Sequence, residues 1–169
     1  TLASVQVEGG GYDFYLPSSS VLSAETRFFQ STPEKTLTIP STAARVITVG
    51  AYDTYTEAYA DFSGRGGNMP PASVNIKPDL VAPGVNIKTL SPGNVPVAVS
   101  GTSFATPFAS GSAALLMEWG IVRGNDPFLY GEKVKAYLRR GAQTLPGFAE
   151  YPNPLTGYGA LCVERSLPE

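Results

Sequence analysis

Ser103 lies in the run Ser100-Gly101-Thr102-Ser103-Phe104-Ala105-Thr106-Pro107, and the chain that carries it has no histidine among its 169 residues. A serine hydroxyl is a weak nucleophile until an adjacent base takes its proton, and that base is most often an imidazole. The neighbouring residues suit acyl transfer. A helix beginning near Ser103 would point its free N–H groups and positive dipole end at a reacting carbonyl oxygen. The Ser103 N–H would then serve as one oxyanion donor. Gly101 permits a sharp backbone turn, and Pro107 is tolerated in or beside a first helical turn. The same residues also fit a plain Gly-Thr-Ser helix cap with no chemistry. They are not a Gly-x-Ser-x-Gly elbow, because Ala105 holds the place of the second glycine. Either the base lies on another part of the polypeptide, or this serine attacks nothing.

The elements that must position Ser103 are legible as periodicities. Residues 39–169 alternate strand, turn and helix, the rhythm of an α/β sheet. Residues 103–119 are apolar nearly all round (Phe104, Ala105, Phe108, Ala109, Ala113, Ala114, Leu115, Leu116, Met117), which predicts a helix buried on all sides. Its small residues, Ala105, Ala109, Gly111 and Ala113, would let neighbouring strands approach. A second helix over 131–140 is amphipathic through Val134, Tyr137 and Leu138. Lys133, Lys135 and Arg139 are expected on its solvated face, and Gly141 at its C′ position. Residues 1–38 read instead as β structure with loops. Alternation at Ser4 to Val7, aromatics from Tyr12 to Leu16 and alternation at Thr36 to Ile39 are separated by Gly9-Gly10-Gly11 and Pro17-Ser18-Ser19-Ser20.

The run from Gly101 to Pro107 resembles the nucleophile signature of the subtilisin-like serine peptidases, Gly-Thr-Ser-(Met/Phe)-Ala-(Ser/Thr)-Pro, and matches it throughout. The family's usual histidine after that proline is Phe108 here; it is not the catalytic base. Four further segments match in the family's order: Ile39-Pro40-Ser41-Thr42-Ala43 leading to Val46-Ile47-Thr48-Val49-Gly50-Ala51; Asp61-Phe62-Ser63-Gly64-Arg65-Gly66; Lys77-Pro78-Asp79-Leu80-Val81-Ala82-Pro83-Gly84; and Tyr158-Gly159-Ala160-Leu161-Cys162. The resemblance implies the C-terminal part of a subtilisin-like parallel-sheet catalytic domain over 39–169. It implies a serine endopeptidase acting on a peptide or protein through an acyl-enzyme. In the family the triad runs Asp, His, Ser, and the Asp, the His and the oxyanion Asn precede the segment matched by Ile39. They are expected on a missing upstream part of the same protein, so that the chain alone is inactive. Val99, Ser100, Gly101 and Thr102 are expected to line the substrate pocket on the near side of Ser103. Tyr12 to Pro17 with Thr36 to Pro40 resembles the tail of the jelly-roll domain inserted in some clostridial relatives of the spore-germination type. That resemblance divides the chain at 38/39, with 1–38 a β-rich segment from an inserted domain, and implies a bacterial protein, secreted or spore-associated. Asp53 resembles a position near a weak cation site in some relatives; a turn aspartate fits it equally.

Composition removes other classes. The chain is 43% hydrophobic and 15% charged, too apolar for disorder, and its net charge of −2 without a basic cluster argues against nucleic acid. No apolar run is long enough to span a bilayer. Cys162 has no second cysteine to pair with and is expected as a buried thiol, a reactive thiol being the other reading. Metal-binding patterns of Cys and His are absent, and neither metal nor cofactor is expected. Two other functions stand beside the peptidase: a pseudoprotease that keeps the fold as sensor or scaffold, and a β-rich binding module in which the serine motif is incidental. The all-apolar helix counts against the module. Left without its upstream cover, that helix should show a bare apolar patch at Phe104, Phe108 and Leu115, inviting self-association.

Overall fold

The computed structural model describes residues 13–17, 21–67 and 76–168. The chain divides into two units, Thr1–Thr32 and Pro33–Glu169. In the first, the described residues form turns without strands; Thr26 N–H donates to the Ser23 carbonyl at 3.0 Å and the two hydroxyls meet at 2.8 Å. The strand expected at 12–16 is not formed over its described residues, and Ser4 to Val7 lies outside them. Residues 36–39, in the second unit, are likewise not a strand. The reason is local. Thr36 N–H donates to the Arg65 carbonyl at 2.9 Å, and Arg65 N–H returns to Thr36 Oγ1 at 2.9 Å. A side-chain acceptor thus replaces the backbone partner that would extend a ladder.

The second unit is built on a small twisted sheet. β1 (Val49–Asp53) lies between β2 (Ala58–Tyr59), antiparallel, and β3 (Leu80–Pro83), parallel, with Val49 opposite Leu80 and Ala51 opposite Ala82. β3 is buried on both faces, as its unbroken apolar sequence requires. A further bridge extends the sheet: Val81 N–H donates to the Gly159 carbonyl at 2.9 Å and Leu161 N–H to the Val81 carbonyl at 2.8 Å. β4 (Ile87–Ser91) and β5 (Val95–Val99) form a separate antiparallel hairpin that leads directly into α1 (Thr102–Met117). α1 passes into a single π-helical stretch, Glu118–Val122, in which Arg123 N–H reaches the Glu118 carbonyl. α2 (Glu132–Gly141) and the short α3 (Val163–Ser166) complete the unit.

Two corrections concern the helices. α1 is not buried on all sides: Ala105, Ala109, Ser112 and Leu116 face the sheet, while Phe104, Phe108 and Leu115 are 36%, 42% and 56% exposed. At 100° per residue those three side chains fall in one stripe, so the helix keeps a second apolar face open, as the bare-patch expectation required. In α2, Val134 and Leu138 join Leu80, Leu116 and Leu129 in the core, but Lys135 and Arg139 turn inward as well. Both reach Asp79. Gly141 is the last helical residue and not a left-handed C′ cap. Its missing Cβ makes room for Ser166, whose backbone would otherwise stand 2.4 Å away.

Candidate active site

Ser103 is the second residue of α1, exposed, and its hydroxyl has no hydrogen-bond partner among the described residues. The N–H groups of a first helical turn lack intrahelical acceptors, and none of the first-turn side chains is acidic. A positive dipole end therefore opens beside the hydroxyl. Gly101, the N-cap, has φ of 152° with ψ of 156°, outside the range of an L side chain. Pro107 lies in the second turn, past the position where proline is free of cost. Its missing N–H leaves the Ser103 carbonyl without its usual partner four residues on.

The loop that leads into α1 is held by the turn after β3. Gly101 N–H donates to the Gly84 carbonyl at 2.8 Å, and Asn86 N–H donates to Ser100 Oγ at 2.9 Å. Gly84 is itself wedged: a Cβ there would stand 2.5 Å from the Ala51 Cβ and 3.2 Å from the Gly101 carbonyl oxygen. Val99 ends β5 and is half-buried.

Beside Ser103 opens a cavity of about 720 Å³. It is lined by Thr102, Ser103 and Thr106 of α1, by Thr38, Pro40 and Ser41 of the segment before β1, and by Gly50, Asp61, Phe62 and Ser63 among others. Of the four pocket residues read from the sequence, Thr102 lines this cavity, and Val99, Ser100 and Gly101 do not. Ser63 is buried, and its Oγ accepts from Ala51 N–H at 3.0 Å. Neither the lining residues at 38–41 nor Ser63 stand out as site residues in the sequence. The order of motifs was the only available signal, since 62 residues separate Ser41 from Ser103 with no periodicity linking them.

Among the described carboxylates, Asp61 lines the cavity with Ser103 but makes no hydrogen bond to it, and the chain has no histidine for it to orient. Asp79 is fully buried under three cations: Lys77 Nζ at 2.7 Å, Lys135 Nζ at 3.6 Å and the Arg139 guanidinium. Thr48 N–H adds a hydrogen bond to Asp79 Oδ2 at 2.6 Å. Burial pushes the Lys77 ammonium below the ordinary lysine range, although its hydrogen bond to Asp79 opposes the shift. Arg139 also stacks over the Tyr158 ring, 4.8 Å from its centroid. Asp53 Oδ1 accepts from Tyr55 N–H at 2.8 Å, which makes it a turn aspartate. No group of three or more metal-ligating side chains occurs among the described residues. Cys162 is half-buried at the start of α3, and its carbonyl caps the helix through Ser166.

The model of the subtilase family matches residues 19–160. The serine protease AprX of Bacillus subtilis strain 168 is 36% identical over 154 residues, which span 79% of this chain and 32% of AprX. Among solved structures, the Clostridium perfringens CspB protease is 48% identical with a TM-score of 0.78, covering 83% of this chain and 29% of that one. The patellamide maturation protease PatA is 33% identical with a TM-score of 0.61, over 79% of this chain and 46% of that one. The chain thus spans about a third of the length of AprX.

Proposed function

Since the chain belongs to the subtilase family of serine peptidases, we propose that it is the C-terminal portion of a catalytic domain in which Ser103 is the nucleophile. The observation that carries this reading is the exposed, unpartnered Ser103 hydroxyl at the N-terminus of α1, facing an open cavity. An imidazole from the upstream part of the polypeptide takes the proton as Ser103 Oγ attacks the carbonyl carbon of a peptide. The Ser103 N–H and an upstream asparagine amide hold the oxyanion. The imidazolium then protonates the leaving amine, the C–N bond breaks, and water hydrolyses the acyl-enzyme by the same route. Val99, Ser100, Gly101 and Thr102 form the near side of the substrate cleft. The Ser100 hydroxyl accepts from Asn86 N–H and keeps its own O–H free to donate. Residues 1–38 are the tail of an inserted domain.

The stripe of Phe104, Phe108 and Leu115 supports the upstream requirement, because it is an apolar helix face left exposed in this chain. The test is a fluorophosphonate probe applied to the complete polypeptide and to this chain alone. Rapid labelling of the complete protein, lost in Ser103→Ala and absent from the isolated chain, is the expected result. Failure to label the complete protein, with an upstream histidine in place, would favour the pseudoprotease.

A further inference from the structure

Residues 36–38, 40, 41 and 46–48 line the cavity at Ser103 and belong to a segment that forms no helix and no strand before β1. Backbone bonds anchor the two ends, Thr36 N–H to the Arg65 carbonyl at 2.9 Å and Asp79 N–H to the Thr48 carbonyl at 2.8 Å, and between them side-chain bonds converge on one buried carboxylate. Lys77 Nζ donates to the Val46 carbonyl at 2.7 Å while paired with Asp79. Lys135 Nζ, reaching in from α2, donates to the Ala44 carbonyl. Thr48 N–H binds Asp79, and Thr48 Oγ1 donates to the Ser41 carbonyl at 2.5 Å. From there two turns carry the constraint onward: Ala43 N–H to the Pro40 carbonyl at 2.9 Å and Ser41 N–H to the Thr38 carbonyl at 2.8 Å. Thr38, Pro40 and Ser41 line the cavity itself.

We propose that Lys77 and Lys135 are positioning residues for substrate selectivity: by gripping the Val46 and Ala44 carbonyls from Asp79, they fix the segment that lines the cavity together with Ser103. One cation would neutralise Asp79. Two more add desolvation and mutual repulsion that no anion within the cluster balances, so stability alone does not call for them. What they contribute is direction, since each ammonium has donors left for a specific carbonyl of an otherwise irregular segment. Arg139 fills the remaining geometry of Asp79 and makes no hydrogen bond to that segment.

The proposal rests on the peptidase reading, and the experiment separates the two. In the complete polypeptide, fluorophosphonate labelling of Ser103 is measured first. Steady-state kinetics then compare two chromogenic peptides that differ only in the residue donating the scissile carbonyl, phenylalanine or alanine. Lys135→Met should change the phenylalanine-to-alanine ratio of kcat/KM by about fivefold to tenfold through KM, with kcat altered less than about twofold. Lys135→Arg should restore most of the ratio. Thr48→Val, which keeps the side-chain shape and removes only the link to Ser41, should move the ratio in the same direction. An unchanged ratio in a labelled enzyme overturns this proposal alone, as does an equal loss on both peptides. Absence of labelling in the wild type overturns the peptidase reading and the selectivity claim with it. Faster amide exchange over 36–44 in Lys135→Met, without change in β3, is the accompanying signature, and unchanged exchange there contradicts the grip.

Discussion

Asp79→Asn is the perturbation with the largest expected consequence for the fold, because asparagine keeps the shape and removes the anion shared by buried Lys77 and Lys135 and half-buried Arg139. At an effective dielectric near 20, the attraction is about 6 kcal/mol for Lys77 at 2.7 Å and about 5 kcal/mol for Lys135 at 3.6 Å, before desolvation. Desolvation offsets most of this while the pairs exist. Once the carboxylate is gone, nothing offsets it, and breaking a buried pair costs about 3–5 kcal/mol. That is a large share of the ~5–15 kcal/mol that holds a typical domain folded. The sharper prediction concerns sign. Lys135→Met alone should cost about 1 kcal/mol, the value of a buried hydrogen bond, because Lys77 and Arg139 still neutralise Asp79. In the Asp79→Asn background the same change should stabilise by about 1–2 kcal/mol, because it removes a buried like charge. Urea denaturation of the four proteins at pH 7, compared at constant m, measures the cycle. If Lys135→Met costs the same in both backgrounds, Lys135 is held by packing and the electrostatic account is wrong.

Gly84→Ala should cost about 1–3 kcal/mol by overpacking against Ala51. It should also slow Ser103 labelling, because the displaced Gly84 carbonyl holds Gly101; a labelling rate equal to wild type would refute the coupling. Lys77 has a folded-state pKa below its unfolded one, so the unfolded chain binds more protons and stability rises with pH through that window. Denaturation midpoints of wild type relative to Lys77→Met should therefore climb from neutral pH toward the ordinary lysine range, and a fall would contradict the shift. Tyr52, raised chiefly by burial, acts in the opposite sense, with stability lost as pH passes its unfolded value, and Tyr52→Phe should remove that loss. Leu115→Glu should make the isolated chain less prone to self-association by light scattering. In the complete polypeptide it should destabilise by about 2–3 kcal/mol if that face is covered there.

What was legible in the sequence follows from where information is local. The start of α1 at Thr102, with Ser103 exposed beside a Gly101 that no other residue could replace, is written in adjacent residues and was readable. A parallel sheet within 39–169 is implied by the family resemblance; that β1 pairs with β3 is supplied by the structure. The cations of α2 were misread, because amphipathicity assigns Lys135 and Arg139 to solvent whenever no acceptor is visible nearby. Their acceptor, Asp79, lies 56 and 60 residues away in sequence. The Lys77-Pro78-Asp79 run was a partial signal, since a carboxylate at the head of a fully buried strand needs a partner somewhere. Residues 36–39 alternate as a strand does, yet Thr36 N–H goes to the Arg65 carbonyl and the preceding Lys35 N–H to the Gly66 carbonyl, a pairing that no periodicity encodes.

α1 was read as buried on every side because composition reports what a helix can bury, and not what its own chain can cover. Ala105, Ala109 and Leu116 find the sheet, while Phe104, Phe108 and Leu115 do not. A second apolar groove, lined by Ile47, Val49, Thr106, Ala109, Ser110 and Ala113, runs between β1 and α1. It shares Ile47, Val49 and Thr106 with the cavity at Ser103. β2 pairs only with Tyr52 and Asp53, which leaves the flank of β1 at Val49 without a strand neighbour among the described residues. The groove therefore adjoins the cavity at Ser103, whereas the stripe of Phe104, Phe108 and Leu115 lies on the opposite side of α1. A segment seated in the groove would bury it, pair the flank of β1 and stand within reach of Ser103. On the peptidase reading proposed above, a substitution that weakens this seat should lower Ser103 labelling and stability together in the complete polypeptide.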